Sequence, residues 1–196
     1  MPFVTFLRGW AAVAVGCLPL AGLMLTPQLM RSRAGSESLL MVGMLLLLAL
    51  LATAIVLAPM LSALATPVAG RWEPRTALRS TREAWRRRTG QAWLAFGLLV
   101  LVYGAGQAIG YLVGEAVPYV HDNPASASDP TAPLWVIDYP AYVLQAAVLY
   151  AVTTLAIALY AARVRSLALG LAASAADDAA RGVRDARRPG LDAGVR

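Results

Sequence analysis

His121 is the only histidine in the chain, and it stands in the run His121-Asp122-Asn123-Pro124. An imidazole beside a carboxylate is a pairing that general acid–base chemistry uses. The Asn-Pro that follows is turn chemistry, however, so an exposed turn is the expected setting. Glu115, Asp122, Asp129 and Asp138 offer oxygen ligands for a cation in the same stretch. Their spacing matches no cation-binding loop, and no metal site is expected. Cys17 is the single cysteine, so no disulfide can form within the chain. Hydrolysis of a phosphodiester would need converging carboxylates, a metal or a histidine acid–base group. A glycine loop to cradle nucleotide phosphates is lacking as well. The residues therefore argue for a non-enzymatic chain with no catalytic residue, no metal and no cofactor.

Arginine carries the remaining chemistry. All seventeen basic residues are Arg and none is Lys, a usage that points to a GC-rich, bacterial genome. Seven of them, Arg71, Arg75, Arg79, Arg82, Arg86, Arg87 and Arg88, crowd one polar stretch. Pro74 at its start and Gly90 at its end frame a helix over about 74–89. At about 100° per residue, Arg75, Arg79, Arg82 and Arg86 share one side, while Ala77, Leu78, Thr81 and Trp85 lie on another. Arg88 interrupts that apolar side. Such a helix suits the inner leaflet, with Arg75, Arg79, Arg82, Arg86 and Trp85 as the lipid-binding set. The alternative is a solvated linker whose charge does no more than fix topology.

The elements that must hold this helix are apolar. Hydrophobic residues make up 59% of the chain and charged ones 14%, with a mean hydropathy of +0.61. A water-soluble domain of this size needs more polar surface. Four runs are long enough to cross the ~30 Å hydrocarbon core, at about 9–26, 39–65, 92–117 and 141–162. The first resembles a signal peptide, with Arg8 ahead of an apolar stretch. No small-x-small cleavage site follows it, and Ala14-Val15-Gly16-Cys17 leaves too short an apolar region for a lipoprotein signal, so a retained span is expected. The expected fold is all-α: an integral membrane domain over 1–165 with four transmembrane helices, and an Ala/Arg/Asp-rich, partly disordered cytoplasmic tail over 166–196.

Orientation follows from basic residues, which stay on the cytoplasmic side during insertion. The loop 67–91 and the tail from Arg163 onward carry seven arginines each, and the loop 118–140 carries none. This arrangement expects a multi-pass cell-membrane protein with both termini inside, leaving only Arg31 and Arg33 outside. Trp10, Trp93 and Tyr160 then mark the inner interface, and Tyr119, Trp135, Tyr139 and Tyr142 the outer one. The net charge of +6 is thereby cytoplasmic. It favours anionic lipid headgroups as partner over nucleic acid, for which no binding pattern is present.

Polar groups inside the spans are few. Tyr103, Gln107, Gln145, Thr153 and Thr154 are expected to hydrogen-bond across the bundle. With no acidic or basic residue at mid-span, an ion-coupled transporter is not expected. Gly106, Gly110 and Gly114 recur every fourth residue of the third span and form a helix-packing strip. Its partner would be another helix of the chain, a second copy in a homo-oligomer, or a membrane partner protein.

The stretch Ala77-Leu78-Arg79-Ser80-Thr81-Arg82-Glu83-Ala84-Trp85-Arg86-Arg87-Arg88-Thr89-Gly90-Gln91-Ala92-Trp93 resembles the bacterial glycerophosphoryl diester phosphodiesterase membrane-domain family. That family shows a similar Ala-Leu-x-Arg-Ser-Trp-Arg-x-Thr-x-Gly-x-x-Trp run before a membrane helix. The end Leu159-Tyr160-Ala161-Ala162-Arg163-Val164-Arg165 is similar to the family's Tyr-x-Asp-x-Arg-x-Arg, although Ala162 stands where an acidic residue or its neighbour is expected and the following Glu-Gly is missing. The resemblance covers about 67–171 and implies a helical membrane module without its own chemistry. The expected function is a non-enzymatic helix-packing or interaction module, with a membrane subunit of a transporter or exporter as the alternative.

Overall fold

The computed structural model describes residues 3–31, 36–129 and 131–186, with 184–186 described by their backbone alone. The fold is all-α apart from one small hairpin. In chain order it runs α1 (Phe3–Gly16), α2 (Leu18–Met24), α3 (Pro27–Met30), α4 (Glu37–Ala65), α5 (Pro74–Arg87), α6 (Thr89–Ala116), β1 (Val120–Asp122), β2 (Trp135–Ile137) and α7 (Tyr139–Ala186). Helices α4, α6 and α7 are each long and apolar enough to cross a membrane.

The first apolar run is not the single helix expected over 9–26. Helix begins at Phe3 and breaks at Cys17, with α1 and α2 meeting at a 57° bend. Pro19 supplies the reason: it has no amide hydrogen, and its ring would collide with the carbonyl four residues back in an unbroken helix. Distant tyrosines serve one carbonyl at the break and one at the far end of α2. The Tyr150 hydroxyl donates to the Ala14 carbonyl, and the Tyr142 hydroxyl donates to the Met24 carbonyl at 2.6 Å.

Helix α4 starts where Ser36 accepts the Leu39 amide and Glu37 lies in the first turn, both favourable at a helix N-terminus. Only 6% of its most apolar 18-residue window is buried, against 22% for α6 and 44% for α7. So α7 is the spine of the bundle, and α4 a peripheral helix with a broad Leu-rich outer face. At Gly43, α4 approaches the backbone of α3 closely, since a Cβ there would stand 2.7 Å from the Leu29 carbonyl carbon.

The fourth run also departs from expectation. Helix α7 does not end near Ala162 to release a tail at 166, but continues unbroken for 48 residues to Ala186. At ~1.5 Å per residue it is ~72 Å long, more than twice the hydrocarbon thickness. Alanine-rich sequence favours helix, and Val164 and Ala168 remain buried beyond the expected end. The part of the tail expected to be disordered that falls in 187–196 lies outside the described residues.

Between α6 and α7, β1 and β2 pair antiparallel with Val120 opposite Ile137 and Asp122 opposite Trp135. The core joins all the long elements, with Trp72, Tyr142, Leu20, Ile157, Val13 and Val164 among its fully buried side chains.

Candidate functional site

The basic helix is fixed at its start by a tight turn. Val68 and Trp72 exchange both backbone hydrogen bonds at 2.8 Å. Gly70, at φ +67°, turns the chain between them in a region that suits glycine. The Gly70 amide donates to the Glu73 carboxylate at 2.8 Å, and the Glu73 amide donates to Thr76 Oγ1 at 3.3 Å. Trp72 is fully buried, in one core cluster with side chains of α4 and α7, and so ties the turn to the bundle. Helix α5 then runs to Arg87, two residues short of the expected end. Gly90 is not its stop: Arg88 forms a joint at φ −128°, ψ 48°, and α6 begins at Thr89, whose hydroxyl donates to the Trp85 carbonyl at 2.8 Å.

Two sides of α5 have different surroundings. Ala77 and Ala84 are buried against the bundle, whereas Arg75, Arg79, Arg82 and Arg86 are exposed. The one ion pair among the described residues joins Arg87 to Glu83, so those four guanidinium groups have no carboxylate partner. Trp85 is turned away from them. Its Nε1 donates to the Tyr160 hydroxyl on α7 at 3.1 Å, and its ring meets Trp93 edge-on at 5.4 Å. Beside the arginines, a groove of about 400 Å³ lies between α5 and α7, walled by Arg79, Ser80 and the Glu83–Arg87 ion pair on one side and by Leu171, Ala172 and Ala175 on the other. Arg88 instead crosses α7 at Gly170, where a Cβ would stand 3.4 Å from its Nη1.

The glycine strip faces α7. A Cβ at Gly106 would stand 2.8 Å from Val152 Cβ, one at Gly110 would stand 2.8 Å from Leu149 Cγ, and one at Gly114 would stand 2.6 Å from Gln145 Nε2. Residues 145, 149 and 152 follow a helical face of their own. Gln145 Nε2 also donates to the Gly110 carbonyl at 2.8 Å, so absent side chains let a polar group reach backbone across the interface. Gly97 and Gly104, off the strip, meet nothing within 4 Å.

Of the polar residues expected to bond across the bundle, Gln145 and Thr154 do so, the latter accepting from Trp10 Nε1 at 3.2 Å. Thr153 is buried with its hydroxyl unpartnered. Tyr103 and Gln107 make no side-chain hydrogen bond among the described residues; they line a small cavity with Arg31. Sequence reasoning had Arg31 only as an exception to the charge asymmetry, and that exception was the signal available. Its Nη2 donates to Gln145 Oε1 at 2.9 Å and its guanidinium stacks on Tyr119, 5.0 Å from the ring centre. Arg165, one of the arginines behind the expected topology, is buried and donates to the Thr66 carbonyl at 3.0 Å.

The candidate cation ligands stay apart. Among the described residues, no three His, Cys, Asp or Glu side chains gather where a metal could sit. His121 is exposed on β1. Asp129 serves a local turn, where the Thr131 hydroxyl and amide hold its carboxyl below the usual carboxylate range. Glu115, Asp122 and Asp138 form no ion pair among the described residues. No family model, characterised protein or solved structure matches this chain.

Proposed function

We propose that the chain is a four-span protein of a bacterial cell membrane, serving there as a non-enzymatic interaction module whose basic helix engages anionic phospholipid headgroups. The bent pair α1–α2 makes one crossing, and α4, α6 and α7 make the others. Helix α5 and both termini face the cytoplasm, in keeping with the arginine asymmetry. The observation that carries the lipid reading is the set of four exposed, carboxylate-free arginines on a helix whose opposite side is packed. Near an anionic leaflet each is worth about 1 kcal/mol.

Two experiments test this. A reporter active only outside the cytoplasm is expected to be silent when fused at residue 80 and active near Ser126; activity at residue 80 would overturn the orientation. In nanodiscs, raising the anionic lipid fraction is expected to raise the melting temperature of the wild type. The variant with Arg75, Arg79, Arg82 and Arg86 all changed to Gln should lose that dependence, while Arg163→Gln should keep it. An equal response in all three would remove the lipid reading. The 57° break in the first crossing favours a second reading, since interrupted helices line pathways in transporters. A transporter subunit should restore solute flux in liposomes when its partner is supplied, whereas an interaction module should not.

A further inference from the structure

We propose that the cavity under Arg31 is a binding site for a small monovalent inorganic anion of halide size. It lies among α2, α3, α4, α6 and α7, lined by Arg31, Tyr103, Gln107 and Tyr142 with apolar walls that include Met24 and Leu149. Its volume is about 50 Å³, several times the ~10–15 Å³ that one water requires.

The case rests on an imbalance of donors and acceptors. Arg31 bears a permanent positive charge, and no carboxylate lies within ion-pair distance of it among the described residues. Gln145 Oε1 accepts one of its hydrogen bonds and the Tyr119 ring covers one face. Its Nε is buried with no acceptor. Among the described residues no protein group accepts from it, and the Gln145 amide and the Tyr142 hydroxyl are held elsewhere by the Gly110 and Met24 carbonyls. Tyr103 and Gln107, one turn apart on α6, line the same cavity and make no side-chain hydrogen bond among the described residues, Gln107 being exposed on its outer side. An uncompensated cation in such a setting is costly, and removing its charge imbalance with an anion is favourable. The cavity's size excludes phosphate esters and carboxylates carrying a chain. The inference concerns the cavity alone and holds for either orientation of the chain.

The test uses the full chain in detergent, melted in sodium bromide or sodium gluconate at matched ionic strength. Bromide is expected to raise the melting temperature saturably and gluconate to leave it flat. Arg31→Gln should abolish the bromide response. Because Arg31 also holds Gln145 and Tyr119, that variant can fail to fold, so the deciding variant is Tyr103→Phe with Gln107→Leu. It keeps Arg31 and its contacts, and it should weaken half-saturation by about ten-fold through lost hydrogen bonds to a charged group. Equal responses to bromide and gluconate, or an unchanged half-saturation in the double variant, would overturn the site.

Discussion

Trp72→Ala is expected to destabilise the protein by about 3–5 kcal/mol, the range for removing a large buried aromatic ring. Trp72 is fully buried, lies in the same core cluster as Ala77, Ala158 and Val164, and closes the turn from which α5 departs. Its loss should therefore do more than open a void: it should free α5 from α4 and α7. Two measurements separate these effects. Thermal melting in detergent reads the total cost, and brief trypsin digestion reads α5, whose arginines become cleavable once the helix lifts away. Trp72→Phe is the informative companion. The indole Nε1 has no hydrogen-bond partner, so removing it discards an unsatisfied buried donor while keeping most of the ring. That variant should retain most of the stability and the trypsin resistance of α5. A Trp72→Ala protein that melts within ~0.5 kcal/mol of wild type, as an ordinary surface variant would, would show that the turn does not anchor the helix.

Gly110→Leu should destabilise the bundle toward the upper end of the ~1–3 kcal/mol typical of overpacking. The added Cβ alone would overlap the Leu149 side chain, and the rest of the leucine would displace Gln145 from its 2.8 Å bond to the Gly110 carbonyl. Gly97→Leu supplies the contrast. Nothing lies within 4 Å of a Cβ there, and leucine is the better helix former by several tenths of a kcal/mol. Melting should fall for the first variant and hold or rise for the second. Since α7 of the same chain fills the strip, oligomer size should be unchanged in both. Dissociation of an oligomer by Gly110→Leu, with the monomer's melting intact, would place the strip between copies instead.

These two sites differ in how visible they are in one dimension. The glycine strip could be seen as a repeat of four, because helical geometry converts that spacing into one face. Which helix covers it could not be seen, because α4 and α7 are both apolar enough to serve. Trp72 gave no comparable signal: one tryptophan in a polar, arginine-rich stretch looks like an interfacial residue, and only packing reveals it as an anchor.

What the sequence determined by itself is what depends on composition and period. Uncharged runs of sufficient length specify α4 and α6 within a few residues, because a backbone in hydrocarbon must satisfy its hydrogen bonds internally and a helix does so. The 3.6-residue period separates the arginine side of α5 from Ala77 and Trp85 without reference to any neighbour, although Leu78, expected with them, is exposed and Ala84, not expected, is buried. Only the tertiary structure decided the rest. Hydropathy averages over Pro19 and so passes through the break at Cys17, where Tyr150 from far along the chain bonds the Ala14 carbonyl. Hydropathy also ends α7 at Arg163, whereas packing of Val164 and Ala168 carries the helix onward. Arg31 and Gln145, 114 positions apart, meet in a cavity that no local pattern encodes, because the contact exists only once α3, α6 and α7 have closed around it.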